Sequence, residues 1–311
     1  QDSSSAASDV YKRQLLEDSK IEVLGGLNGG AGGRIYLEGT TSLENFGFDN
    51  LVAEGGVGAV SGTGGTIRYL RPSNLTSLDF QTGTLTIDTD SATLTHSNGS
   101  MAYGQISDEF YKDENGAFWP FSVCSFKFSQ IRLGGNLVVR LIGSNALLLE
   151  ATAGDLVVGS NLKADGGNSR EQKGGIALLG GFAGVDSGEL SGRGPGAPQY
   201  TSSTGHGAAH GGHGSGDARP YGVKSLDSLM GGSSGGSSNT DGSGAGGGAI
   251  SLKASAEIII ETNTLISVNG GHGGSDSASG TGGSIRLEAT RIYNYGKLEA
   301  RSGNGAKAVS Y

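Results

Sequence analysis

One cysteine, five prolines, two methionines and one tryptophan in 311 residues exclude several designs at once. A lone Cys124 forms no internal disulfide, so this is not a disulfide-stapled scaffold, and it reads as a small buried hydrophobe. So few prolines, with no G-X-Y period, exclude collagen. The balance of 22 basic against 30 acidic residues, net −8, runs against nucleic acid, whose phosphates need a basic surface. No apolar run approaches the roughly 20 residues of a membrane helix. No stretch of ten holds a 3.6 period, which leaves little room for helix. No catalytic signature is satisfied.

What the sequence has is glycine, 60 residues against an average share of about 7%. Paired glycines open one phrase that recurs. It reads GGRIYLEG from Gly32, ALLLEA from Ala146, GGAISLKA from Gly247 and GGSIRLEA from Gly282. The distance from its Leu to a closing Gly hardly varies (Leu37–Gly55, Leu149–Gly166, Leu252–Gly270, Leu287–Gly303). Period-2 alternation punctuated by Gly means strands. Recurrence every 20 to 40 residues or so means stacked repeats. The expected fold is therefore all-β, a parallel β-helix with glycine-rich corner loops and one long insertion. An antiparallel sandwich is the alternative, and it leaves the recurring order unexplained. In the stack, Ile35, Leu147, Ile250 and Ile285 form one inward column, with Leu37, Leu149, Leu252 and Leu287 beside it.

Three regions are expected. Residues 1–14, QDSSSAASDVYKRQ, break the pattern and resemble translated sequencing-adapter read-through, so they are set aside from fold reasoning; the true N-terminus is expected to be missing, and a signal peptide could have been lost with it. Residues 15–83 read as the end of one repeat segment, and 84–311 as a glycine-rich segment with its insertion at 181–246. An insertion so rich in Gly and Ser buries little apolar surface, and part of it is expected to be mobile.

The order SNALLLEATAGDLVVGSNLKADGG, GRGPGAPQYTSSTGHGAAHGGHG, PYG, GGSSGG, GAGGGAISL resembles large glycine-rich repeat proteins of cell surfaces. Among them are plant membrane-anchored glycine-rich proteins and giant proteins of protists and bacteria. The resemblance covers residues 130–305 and implies a β-helical extracellular segment; it brings no catalytic residues.

His206, His210 and His213 lie within eight residues, with Asp217 or His272 as the nearest fourth ligand, a spacing open to zinc or copper. Their Gly and Ala surroundings offer no group to orient the rings, so hydrated or loop-packing histidines are expected. Gly270–Asp276 is similar to a calcium nonapeptide, with its aspartate one residue late. Asn239-Thr240-Asp241 and Gly271-His272-Gly273 are similar to polygalacturonase motifs, without the acid–base pair that chemistry needs. The acidic cluster Asp108, Glu109, Asp113, Glu114 reads as a solvated loop. The aromatics from Tyr103 to Phe128 read as a cap, with Tyr111 and Trp119 as candidates for stacking on sugars. Asn74 and Asn98 stand in N-glycosylation sequons. The expected function is a non-enzymatic structural or adhesive segment of an extracellular or cell-surface protein. No cofactor is expected. The expected partners are matrix, cell-wall or surface components, polysaccharide among them, and no nucleic acid. A carbohydrate-binding module, or a polysaccharide-active enzyme on the same scaffold, is the alternative.

Overall fold

A computed structural model describes residues 76–113, 116–198, 205–215, 218–222, 226 and 228–305, with the backbone alone of strands 21–22, 34–38, 51–52 and 66–70. Contacts divide the chain into two units, Gln1–Pro72 and Ser73–Tyr311. In the first, β1 (Ile21–Glu22) pairs in parallel with β3 (Leu51–Val52), and β2 (Arg34–Glu38) with β4 (Thr66–Leu70). Ile35 therefore stands beside Ile67, which corrects its expected place in the column of Leu147. Asn74 and Asp217 lie outside the described residues, as do residues 1–14.

In the second unit the strands are β5 (Leu78–Asp88), β6 (Thr93–His96), β7 (Met101–Tyr103), β8 (Gln105–Lys112), β9 (Phe118–Phe128) and β10 (Ile131–Ile142). They are followed by β11 (Ala146–Ala151), β12 (Leu156–Val158), β13 (Leu162–Lys163), β14 (Ala249–Ala254), β15 (Glu257–Ile260) and β16 (Leu265–Ser267). The last three are β17 (Ser284–Glu288), β18 (Arg291–Asn294) and β19 (Lys297–Glu299). Three sheets result, in the orders β18-β15-β12-β10-β5-β6-β7, β17-β14-β11-β9-β8 and β13-β16-β19.

The expected parallel β-helix is corrected, although the all-strand class stands. The sheets are mixed: β5–β6, β6–β7 and β8–β9 run antiparallel. The reason is local. Short turns can join only antiparallel neighbours, and one follows β5 directly. There Asp88 Oδ1 accepts the N–H groups of Asp90 at 2.9 Å and Ser91 at 3.3 Å. Ala92 then closes the turn at φ 50°.

Between the other strands of this unit the pairing is parallel and in the register the repeated phrase requires. Leu147 stands beside Ile250 and Ile250 beside Ile285; Leu149, Leu252 and Leu287 follow. Leu156 and Ile258 continue to Ile292, and Leu162 and Ile266 to Leu298. All of these but the β17–β19 members are fully buried, each worth about 1.5–3 kcal/mol of apolar burial. Cys124 sits in this core beside Leu147. Burial, with Asp88 and Asp90 nearby, pushes its thiol up to about 12, so it stays protonated and inert.

Between β13 and β14 the described chain has no strands, yet its backbone is ordered by another rule. The N–H groups of Gly242, Ala245 and Gly248 donate to Glu171, Gly167 and Ala164. Those of Ser243, Gly246 and Ala249 donate to Val185, Phe182 and Leu179, and those of Gly244 and Gly247 to Ala278 and Thr281. Each direction recurs every third residue. That is the period of a polyproline-II-like helix, which makes no internal hydrogen bonds; here neighbouring segments take the place of water. The packing leaves no room for side chains: a Cβ on Gly246 would run into the carbonyl of Gly232, and one on Gly271 into that of Gly167.

Candidate functional site

Serines hold this glycine lattice together. Ser233, Ser234, Ser237 and Ser243 are fully buried. Their hydroxyls accept N–H bonds from Gly196 at 3.0 Å, Arg193 at 2.8 Å, Leu190 at 2.9 Å and Val185 at 2.9 Å. Ser233, Ser234 and Ser237 of GGSSGGSS thus serve as acceptors for a segment that steps back three residues at a time, from Gly196 to Arg193 to Leu190.

Against the lattice stands an aromatic cluster of Tyr111, Tyr221 and Met230, with Trp119, Phe121 and Phe182 packed around it. Tyr221 donates its hydroxyl to Gly231 O at 2.5 Å, and burial pushes its phenol well up. The His210 ring stacks on Tyr221, centroids 4.5 Å apart. Its Nδ1 lies 2.9 Å from Gly282 O; a carbonyl only accepts, so Nδ1 carries the proton. Burial lowers the His210 pKa, opposed by the Gly282 bond. These rings border a groove of about 1110 Å³ whose other walls include Ile285, Leu287, Leu298 and Glu299.

The three clustered histidines are placed differently from one another. His210 is committed to Tyr221 and Gly282, His213 is exposed, and the backbone carbonyl of His206 takes the N–H of Gly236. His272 is exposed, and its Nδ1 accepts from the N–H of Asn304 at 2.7 Å. Among the described residues, no three His, Cys, Asp or Glu side chains stand ready to hold one metal ion. Gly270, Gly271, Gly273 and Gly274 of the calcium-like stretch donate their N–H groups to Arg301, Ala245, Asn304 and Gly242, and so belong to the lattice. Asp241 accepts from Ser275 Oγ at 2.8 Å and from the Asp276 N–H at 3.3 Å; it anchors a turn. Glu257 is paired with Arg291, and Glu261 stands 3.9 Å from Arg132.

In the acidic cluster, Asp108 accepts from Ser122 at 2.8 Å and Asp113 from Trp119 Nε1 at 3.0 Å. Burial raises the Glu109 pKa. Tyr111 and Trp119 pair across β8–β9 on the face turned to the aromatic cluster. The opposite face carries Phe110 and Phe118, 67% and 66% exposed, with Lys112 5.4 Å from the Phe118 ring. Asn98 is exposed in the β6–β7 turn.

The sequence singled out His210 but not Tyr221, Met230 or the buried serines. The one available signal was the doubled Gly-Gly-Ser-Ser. Among known proteins, no family model, no curated protein and no solved structure matches the chain.

Proposed function

We propose that this chain is a structural and adhesive module of an extracellular or cell-surface glycine-rich protein, acting by shape rather than by chemistry. The observation that carries this reading is the three-residue hydrogen-bond period of Gly242–Ala249. It makes a stiff body of a composition that, left solvated, cannot offset its ordering entropy. A lattice bonded on several sides, fused to stacked strands, holds its surface fixed under load. The partners it suits are matrix, cell-wall or surface components. Native-state hydrogen exchange tests the reading: the amides of Gly244–Gly248 should be protected as strongly as those of β14. Exchange at unstructured rates would refute it. A second reading, carbohydrate binding, is favoured by the exposed Phe110 and Phe118 on one ribbon face, since exposed aromatic faces suit sugar stacking.

A further inference from the structure

The turn between β6 and β7 is rooted in the core, while the groups at its tip are left free. His96 ends β6 buried, its ring stacked on Phe80 with centroids 4.0 Å apart. Its Nε2 lies 2.9 Å from Thr82 O, which only accepts, so Nε2 carries the proton and Nδ1 accepts the Asn98 N–H at 3.3 Å. Backbone bonds complete the loop. The His96 N–H donates to Ser100 O at 2.8 Å, Gly99 N–H to His96 O at 2.9 Å and Ser97 N–H to Thr84 O at 2.9 Å. Gly99 takes the left-handed conformation, φ 93°, which suits the Asn-Gly pair of a tight hairpin turn. At the tip Asn98 is exposed, and the two ends of its amide are used unequally. Oδ1 accepts the Ser100 N–H at 2.9 Å, whereas among the described residues neither Asn98 Nδ2 nor the Ser100 hydroxyl makes a hydrogen bond. Asn145 and Asn269, by contrast, commit Nδ2 to Thr89 O at 2.8 Å and to Glu299 at 3.2 Å. There is also room: a Cβ on Gly99 would meet no atom within 4 Å.

We infer that Asn98 accepts an N-linked oligosaccharide on its free amide nitrogen, and that the folded turn carries the sugar with its own bonds intact. The inference rests on the extracellular reading, because the donor, an oligosaccharide held on a lipid pyrophosphate, is met on the secretory route. The sequon Asn98-Gly99-Ser100 supplies the nitrogen and the hydroxyl two residues on. In the transfer, Nδ2 bonds to the anomeric carbon of the sugar. The bond from that carbon to the pyrophosphate oxygen breaks, the lipid pyrophosphate leaves, and Nδ2 gives up one proton. A substituted amide keeps its carbonyl, so Oδ1 still accepts from Ser100 and the turn loses no bond. A bulky, solubilising group suits an exposed turn of this kind. The same substitution at Asn145 or Asn269 would put that bulk on a nitrogen already bonded to Thr89 or Glu299.

The test is the full chain, fused to a cleavable secretion signal and made in a eukaryotic host, with the product read whether secreted or retained. Asn74→Gln removes the other sequon. In that background the intact mass should exceed the 31.2 kDa polypeptide by a series of hexose steps. Enzymatic release in heavy-oxygen water should then leave a labelled aspartate at position 98. An untreated control separates this from spontaneous deamidation of the Asn98-Gly99 pair, which adds no sugar. Ser100→Ala should abolish the sugar while keeping the backbone bond to Asn98 Oδ1, and Ser100→Thr, which retains a hydroxyl, should keep the sugar. Bare Asn98 in the Asn74→Gln chain, or a sugar that persists in Ser100→Ala, would overturn the proposal. The added signal keeps two failures apart. Bare Asn98 removes this site and leaves the extracellular reading, whereas a native protein found in the cytosol removes that reading and leaves Asn98 a competent acceptor.

Discussion

Residues 242–254 cross from one kind of order to another without a break. Up to Gly248 the chain is a member of the glycine lattice, held by backbone bonds to several neighbours. From Ala249 it is β14, held by two strand partners and by side chains stacked inward. In the lattice a side chain is an obstruction, and in the strand it is the adhesive. One segment therefore meets opposite tolerances only six residues apart, at Gly246 and Leu252.

Single-carbon logic distinguishes the two halves. Gly246→Ala adds one methyl where the Gly232 carbonyl already lies. Backbone on both sides must move, so the expected loss is more than about 4 kcal/mol, in the exceptional class for a point change. Leu252→Ala removes atoms from a fully buried column and should cost about 2–5 kcal/mol. Urea unfolding of both variants measures the contrast. If Gly246→Ala proves the milder, the lattice is looser than its hydrogen bonds indicate.

The serines sharpen the comparison at a smaller scale. Ser233→Ala leaves the buried Gly196 N–H without the hydroxyl it donates to at 3.0 Å, which should cost about 1–3 kcal/mol. The same change at Ser107, exposed on β8, should fall within about 0.5 kcal/mol. Equal midpoints for the two variants would show that the lattice does not depend on its side-chain acceptors.

These contrasts explain what could be read from the sequence. The phrase with Ile and Leu two apart located β11, β14 and β17 and the register of Leu147, Ile250 and Ile285, because burial on one face writes itself into alternation. Strand direction is not written that way, so the antiparallel β6, β7 and β8 were not foreseen. Nor does a phrase name its neighbour: Ile35 carries the same pattern and pairs with Ile67. The lattice was illegible for a deeper reason. Its period of three lies in the hydrogen bonds of glycines, and a residue without a side chain leaves no pattern. Of the candidate site, His210 stood out by type, while its partners Tyr221 and Gly282 come from distant stretches that only folding brings together.

The smallest expected effect lies where lattice and strands meet, at His210. Its ring bridges the 208–222 loop to Gly282, next to β17. Burial holds its folded pKa below the ordinary 6.5, so the native state binds its proton less readily than the unfolded chain does. Its contribution to stability is therefore complete above about pH 6.5 and declines as pH falls through the folded value. A single proton limits the slope to about 1.4 kcal/mol per pH unit. Thermal unfolding from pH 7.5 down to 5 should show the wild-type midpoint falling more steeply than that of His210→Gln, which has no proton to bind there. Protonation leaves the Nδ1–H bond to Gly282 in place, so the loss reflects the buried charge on a ring stacked against Tyr221, not a broken hydrogen bond. Parallel slopes for the two proteins would mean that the ring takes up its proton without a penalty, and that the loop yields to water before the lattice does.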